Sequence, residues 1–328
     1  MSVSTIANKA FRIKCIEQNY RVIRHFLLDR TKPFIYQNTI FINLPDYKGI
    51  RSVSGAFNDK NLGRASAHQI AGFKKRNIAT MQGTSFMYNL KSALQFLTLL
   101  PLGKSEVFDT RGMTPYFPLA GMIVGVLVSI FDKIALLFWP LPAVAAMDVV
   151  FLAIITGAFH LDGLGDAADG MLGHRSREKA LEIMKDSRIG AMGLMAVLCC
   201  LLIKWAGIQS LDNHQRTLIL ILIPAYSRSG MLFGMRFLPY GRSDGTGQAF
   251  FQNALEPLDF KWMILPAVFS IFLGWRGIWL NMVFALTLAA ILGYYRSRMG
   301  CITGDMLGAM TEVMESTLFL MVAAGWLF

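Results

Sequence analysis

Long apolar runs fill the chain from Phe117 to its end, and no other feature of the sequence constrains the fold as strongly. A bilayer core of about 30 Å takes about 20 mostly apolar residues per helix. The runs 117–139, 143–161, 190–211, 217–235, 261–275, 278–295 and 304–327 meet or approach that length. No water reaches the hydrocarbon to satisfy bare backbone, so such runs imply helices, and they lack the two-residue alternation of a membrane barrel. The expected fold is all-α, a polytopic transmembrane helical bundle of five to seven spans. The number is a range because 261–275 is short for a crossing and Pro224 and Pro266 interrupt their runs. Gly121 and Gly125 have the GxxxG spacing that lets a neighbouring helix approach closely.

Charge divides the chain in two. The whole protein carries a net +11 with only 16% charged residues, against about 25% in soluble domains. Residues 1–91 hold 15 Lys/Arg against 4 Asp/Glu, so the whole excess lies there and the hydrophobic body is neutral. Residues 1–85 are expected to be a basic extension outside the catalytic body. They are read as a disordered extension, a long segment resembling an organelle leader in composition, or upstream sequence preceding a start at Met81 or Met87; 86–328 form the membrane domain. The basic residues are scattered, apart from Lys74-Lys75-Arg76, so no nucleic-acid partner is expected. Cys15, Cys199, Cys200 and Cys301 form no CxxC pair, which argues for buried thiols and against a zinc site or disulfide framework.

Loop charge sets the orientation. Arg175, Arg177, Lys179, Lys185 and Arg188 crowd the connection 172–188, which the positive-inside rule places in the cytoplasm. Residues 212–216 carry only Arg216 and fit the opposite side; Arg236, Arg242 and Lys261 return 236–261 to the cytoplasm.

The chemistry concentrates in His160-Leu-Asp-Gly-Leu-Gly-Asp-Ala-Ala-Asp-Gly170. Asp162, Asp166 and Asp169 stand at i, i+4 and i+7, on one face of a helix. Three carboxylates stacked without an intervening base repel one another, most of all beside a membrane, and a bound divalent cation relieves this. Hard oxygen ligands suit Mg²⁺, which keeps waters and takes phosphate oxygens from a substrate; the interleaved glycines leave room for a phosphate. The spacing does not fit an EF-hand loop. The bases of 172–188 follow directly, and acids for a metal followed by bases for phosphate are what phosphoryl transfer requires. Glu182 and Asp186 are candidate additions to that set. Arg228 lies in an apolar run, as a functional charge or one snorkelling to an interface. Arg242 lies in a Gly-rich loop; Asp305 and Glu312 share a face at the start of the last span and suggest a second acidic site.

Together, Gly157–Gly170 and Leu181-Glu-Ile-Met-Lys-Asp-Ser-Arg-Ile-Gly190 resemble the cobalamin synthases, the adenosylcobinamide-GDP ribazoletransferases. Ala93–Pro101, Phe117–Gly125 and Thr303–Glu312 resemble further motifs of that family in the same order, although Leu99 stands where an Arg is common. The resemblance implies a Mg²⁺-dependent integral membrane transferase. It would join adenosylcobinamide-GDP to α-ribazole, or its 5′-phosphate, with release of GMP. It further implies a multi-pass protein of the bacterial cytoplasmic (inner) membrane, embedded in the lipid bilayer with its site facing the cytoplasm. Asp162, Asp166 and Asp169 would hold the metal, and Asp169 or Asp186 would take the hydroxyl proton. Arg175, Lys185, Arg188, Arg228, Arg242 and Asp305 are the candidate substrate contacts. A CDP-alcohol phosphotransferase remains the alternative, since Asp166-x-x-Asp169-Gly170 and Glu182-x-x-x-Asp186 match its signature in part. A transporter fits less well: it would show an internal repeat and charges near the middle of its spans.

Overall fold

The computed structural model describes residues 34–36, 39–42, 51–53, 86–103, 109–186, 188–242, 246–252 and 254–324. The chain divides into two compact units, Met1–Lys75 and Arg76–Phe328. Within the first, β1 (Phe34–Tyr36), β2 (Thr39–Ile42) and β3 (Arg51–Val53) form an antiparallel sheet in that order. Phe34 stands opposite Phe41, and Ile40 opposite Val53. The expected extension 1–85, including Cys15, otherwise lies outside the described residues.

The second unit is helical. Helix α1 (86–97) is followed by the short α2 (Thr110–Met113), whose first turn is capped by the Asp109 carboxylate accepting from Gly112 N at 3.0 Å. A 3₁₀ turn then leads into α3 (Phe117–Ala135). After α4 (Leu141–Ile155) and α5 (Phe159–Met171) come the short α6 (Arg177–Ile183) and the long α7 (Ala191–Gln209) and α8 (Asn213–Phe237). The six-residue α9 (Ile264–Phe269) precedes α10 (Trp275–Arg298) and α11 (Gly304–Ala324).

Five elements are long and apolar enough to cross a membrane: Thr110–Ala135, α7, α8, α10 and α11. The pair α4–α5 makes a sixth if its two limbs count as one span. Burial sorts them. The most apolar stretches of α8 and α11 are 83% and 78% buried, whereas those of α7 and α10 are only 28% buried. The first two therefore form the centre, and the others present apolar faces such as Leu194, Leu198, Leu202, Ile278 and Leu286 outward, as lipid-facing helices do. On α3 the buried positions Phe117, Ala120, Gly121, Val124, Gly125 and Val128 trace one helical stripe. A Cβ on Gly121 or Gly125 would run into the α8 backbone at Pro224 and Ile221, which accounts for the GxxxG spacing.

Two expectations about the spans need correction. The run 261–275 is no crossing. It is broken into a 3₁₀ turn (Pro257–Met263), α9 and a second 3₁₀ turn (Ser270–Leu273), and six α-helical residues reach only about 9 Å. The run 143–161 is not continuous either, because α4 and α5 meet at 89°. The elbow is Gly157 and Ala158, both left-handed at φ +63° and +55°. For alanine that conformation costs ~1–2 kcal/mol, and Leu99, whose N–H donates to Ile155 O at 2.7 Å, packs against the bend.

Two buried charge groups tie the helices. At the start of α8, Arg216 donates from Nε and Nη2 to Asp132 Oδ1 (2.8 and 2.6 Å), from Nη2 to Asp148 Oδ2 (3.0 Å) and from Nη1 to Ile208 O (2.6 Å). It joins α3, α4, α7 and α8, so Arg216 is a buried pairing residue and not part of an exposed loop. Among α7, α8 and α11, Lys204 Nζ donates to Glu312 Oε2 (2.6 Å) and Glu315 Oε1 (2.9 Å), and Glu315 Oε2 accepts from Ser227 and Arg228. Two cations and two carboxylates thus balance in the bundle interior.

Candidate active site

All three aspartates of the acid motif lie on α5, with Asp162 exposed and Asp166 and Asp169 half-buried. α5 packs against the first turns of α11 at Gly163, where a Cβ would lie 2.8 Å from Asp305 O. That approach brings a fourth carboxylate to the face. Asp166 lies within electrostatic reach of Asp162, Asp169 and Asp305, with Arg242 as the opposing cation.

Arg242 is brought there from the loop after α8. Tyr240 forms a parallel bridge with Ile302: Gly241 N donates to Ile302 O and Ile302 N to Pro239 O, both at 2.9 Å. The bridge aligns the loop with the segment entering α11, and Arg242 Nη2 then donates to Asp305 Oδ2 at 2.6 Å and to Met184 O at 3.3 Å. Arg242 Nε is buried with no protein partner.

Asp169 has a second task. Its two carboxylate oxygens accept from Gly190 N (2.6 Å) and Gly193 N (2.8 Å) at the amino terminus of α7. The α7 N-cap is Gly190, which has no side chain to offer, so Asp169 supplies the missing acceptor and a negative charge where the helix dipole favours one. From the α5–α6 connection, Arg175 Nη1 donates to Asp169 O at 3.1 Å.

The basic connection is exposed. Ser176 caps α6 by accepting from Lys179 N at 3.3 Å, and Lys179 pairs with Glu182 at 2.9 Å. Lys185 is exposed. Arg188 Nε donates to Asp186 Oδ1 at 3.0 Å, and this bond, with a second from Arg188 N, holds the Asp186 carboxyl below the usual carboxylate range.

Asp162, Asp166, Asp169, Asp305 and Arg242 therefore come together, with Arg175 at the end of α5. Lys185, Asp186 and Arg188 lie on the adjoining connection. Arg228 does not join them: it is 1% exposed and paired to Glu315 in the bundle interior. Nor does Glu312 form a second acidic site with Asp305, because Lys204 takes it. His160, two residues before Asp162, is fully buried, and neither ring nitrogen has a protein partner. Cys200 and Cys301 are buried, but Cys199 is exposed.

Sequence reasoning overlooked Lys204, whose signal was a lysine inside the apolar run 190–211, and Asp132 and Asp148, acids inside their own runs. It also passed over Arg298, which donates to three carbonyls in the segment following α5.

The donors at this face are carboxylates, three from α5 and Asp305 from α11, against one bonded guanidinium, and this chemistry fits a hard divalent cation. Among the described residues no three His, Cys, Asp or Glu side chains stand close enough to enclose an ion. An ion here would complete its shell with water or substrate oxygens, as Mg²⁺ commonly does.

Residues 89–324 match the family model described as cobalamin-5-phosphate synthase. The chain is 34% identical to the adenosylcobinamide-GDP ribazoletransferase of Alkaliphilus metalliredigens over 244 residues, covering 71% of this chain and 95% of that one. It is 35% identical to the proteins of the same name from Desulfitobacterium hafniense (72% and 96% covered) and Pseudomonas putida (70% and 96%). No solved structure matches the chain.

Proposed function

The chain belongs to the cobalamin-5-phosphate synthase family, and from that premise we propose that it is an adenosylcobinamide-GDP ribazoletransferase working at the α5 acid face with Mg²⁺. A ribose hydroxyl that α-ribazole and its 5′-phosphate both carry free attacks the phosphorus attached to cobinamide. The P–O bond bridging the diphosphate breaks, its electron pair leaves with GMP, and the hydroxyl proton passes to a carboxylate. The product is adenosylcobalamin or its phosphate. The observation that carries this reading is the convergence of Asp162, Asp166, Asp169 and Asp305 with Arg242, inside the segment that matches the family.

Asp162, Asp166 and Asp169 would hold Mg²⁺, which when bound neutralises charge on the diphosphate and its leaving group. Arg175, Lys185 and Arg188 attract the phosphates from the connection after α5. Arg242 and Asp305 fix each other at 2.6 Å and form the wall between α5 and α11. Asp169 or Asp186 receives the proton; Asp186 is the weaker acceptor, since Arg188 lowers its affinity for protons. Arg228 drops out of the substrate contacts on account of its burial. The site faces the cytoplasm of a bacterial inner membrane, a placement supported by the positive-inside count of 172–188.

The test is incubation of purified protein with adenosylcobinamide-GDP, α-ribazole and Mg²⁺, followed by chromatography of corrinoids and GMP. Equal amounts of the cobalamin product and GMP, abolished by excess EDTA, are expected. Absence of product refutes the transferase reading, and full activity in EDTA refutes the metal.

A further inference from the structure

Beside the acid face lies a cavity that the proposed chemistry does not yet use. It has a volume of about 530 Å³, and Leu172, His174 and Arg175 after α5 wall it together with Tyr294 and Arg298 in the last turns of α10. Arg298 builds the wall: Nη2 donates to Gly173 O and Arg175 O, both at 2.8 Å, and Nε to Met171 O at 3.4 Å. Those bonds satisfy carbonyls that the end of α5 leaves open. They also fix the segment from which Arg175 reaches back to Asp169 O.

The charge of this cavity is not offset. Among the described residues neither Arg175 nor Arg298 pairs with a carboxylate, and each guanidinium bonds only to backbone carbonyls. The remaining wall offers the His174 imidazole, the apolar side chains of Met171 and Leu172, and Tyr294, a residue 42% exposed. Two cations and a ring beside an apolar surface recognise an anion carrying a flat aromatic group. The cavity begins at Met171, two residues after Asp169 and about 3 Å along the helix axis, so a diphosphate at the acid face is within reach of it.

We propose that this cavity is the nucleoside monophosphate subsite, holding the guanosine end of the diphosphate substrate, with Tyr294 against the base and Arg175 and Arg298 toward the phosphate. The proposal rests on the transferase reading. It selects among that reaction's parts by size and charge. A corrin with its amide side chains is too large for the cavity, unphosphorylated α-ribazole has no anion for the guanidiniums, and its 5′-phosphate, which has both anion and ring, gains no charge there during the reaction. The guanosine phosphate supplies both anion and ring, and it gains negative charge as it leaves.

The test measures binding of GMP alone to the full protein in nanodiscs, alongside the two substrate KM values. Loss of base stacking is worth ~1–3 kcal/mol, so Tyr294→Leu should weaken GMP binding about tenfold, and Tyr294→Phe should restore it. Arg298→Gln should weaken it similarly, and Arg298→Lys, which lacks the planar fork, should not restore it. The KM for adenosylcobinamide-GDP should rise in parallel while that for α-ribazole stays fixed. Unchanged GMP affinity in both Tyr294→Leu and Arg298→Gln overturns the proposal. If those variants instead lose a dependence on phosphatidylglycerol in the nanodisc, with GMP affinity intact, the cavity is a lipid headgroup site and the proposal falls. If a variant fails to insert, a His174→Cys probe decides: GMP should slow its alkylation, and no protection refutes the subsite. A protein that makes no cobalamin product yet loses GMP affinity in the variants keeps the subsite and loses the transferase reading.

Discussion

Asp166 and Asp169 sit one turn apart on the same face, yet the structure gives them different work. Asp166 is surrounded by like charges, whereas Asp169 also caps α7 through Gly190 and Gly193. Asp166→Asn should abolish turnover and leave the thermal unfolding midpoint in detergent unchanged or slightly raised. Asp169→Ala should abolish turnover and also lower stability by about 1 kcal/mol, the usual worth of a lost cap. Equal midpoints for the two would remove the capping role. A second contrast concerns the proton. Activity that needs an ionised base is lost as pH falls through that base's pKa. Arg188→Gln removes the guanidinium bond that depresses Asp186 most, leaving the one from Arg188 N, so its pKa would rise toward the ordinary value. If Asp186 were the base, the acidic limb of the pH–rate profile would move to higher pH. We expect the limb to stay where it is and only the rate to fall. An upward shift would assign the proton to Asp186.

At the scale of elements, local period was legible and long-range pairing was not. The spacing of Asp162, Asp166 and Asp169 announces one helical face because i, i+4 and i+7 are fixed by 3.6 residues per turn. Gly121 and Gly125 announce a close contact for an equally local reason. By contrast, hydropathy records composition and not continuity, so it made 261–275 a candidate span and overlooked the left-handed pair at Gly157–Ala158. Nothing local shows that Ile302 bridges Tyr240 and so delivers Arg242 to Asp305, or that Lys204 takes Glu312 away from a second acidic site. The balanced group around Lys204 makes a quantitative prediction. Lys204→Met leaves Glu312 and Glu315 short of a cation, and breaking a buried pair from one side typically costs about 3–5 kcal/mol. Adding Glu312→Gln restores neutrality and should recover much of that loss. Denaturant unfolding in mixed micelles would measure both, and a fully additive double variant would show that the charges do not act as a group.

For the whole molecule, the proposed orientation and the division of the chain can each be tested in cells. Ser176 caps α6 within the basic connection. In a chain lacking the native cysteines, Ser176→Cys should resist an impermeant thiol reagent in intact cells and react once the membrane is opened. Labelling of intact cells would invert the topology. The family match begins at residue 89, and Met1–Lys75 forms its own compact unit. Deletion of residues 1–80 should therefore preserve transferase activity, and a truncated protein that inserts but does not turn over would bring the amino-terminal segment into function.

The buried group around Lys204 also bears on how the protein is made. Its partners Glu312 and Glu315 follow it by 108 and 111 residues. At a synthesis rate of about 5–20 residues per second, α7 waits roughly 5–20 s in or near the bilayer before α11 emerges. A lysine costs about 2.5–3.5 kcal/mol to insert at the centre of a nascent span and less toward its end, where Lys204 stands. During that interval α7 carries this lysine without its carboxylate partners. The last helix, which brings Asp305 to the acid face, also brings the two acids that neutralise Lys204 and Arg228. One helix, α11, thus both completes the reaction site and neutralises the buried cations of α7 and α8.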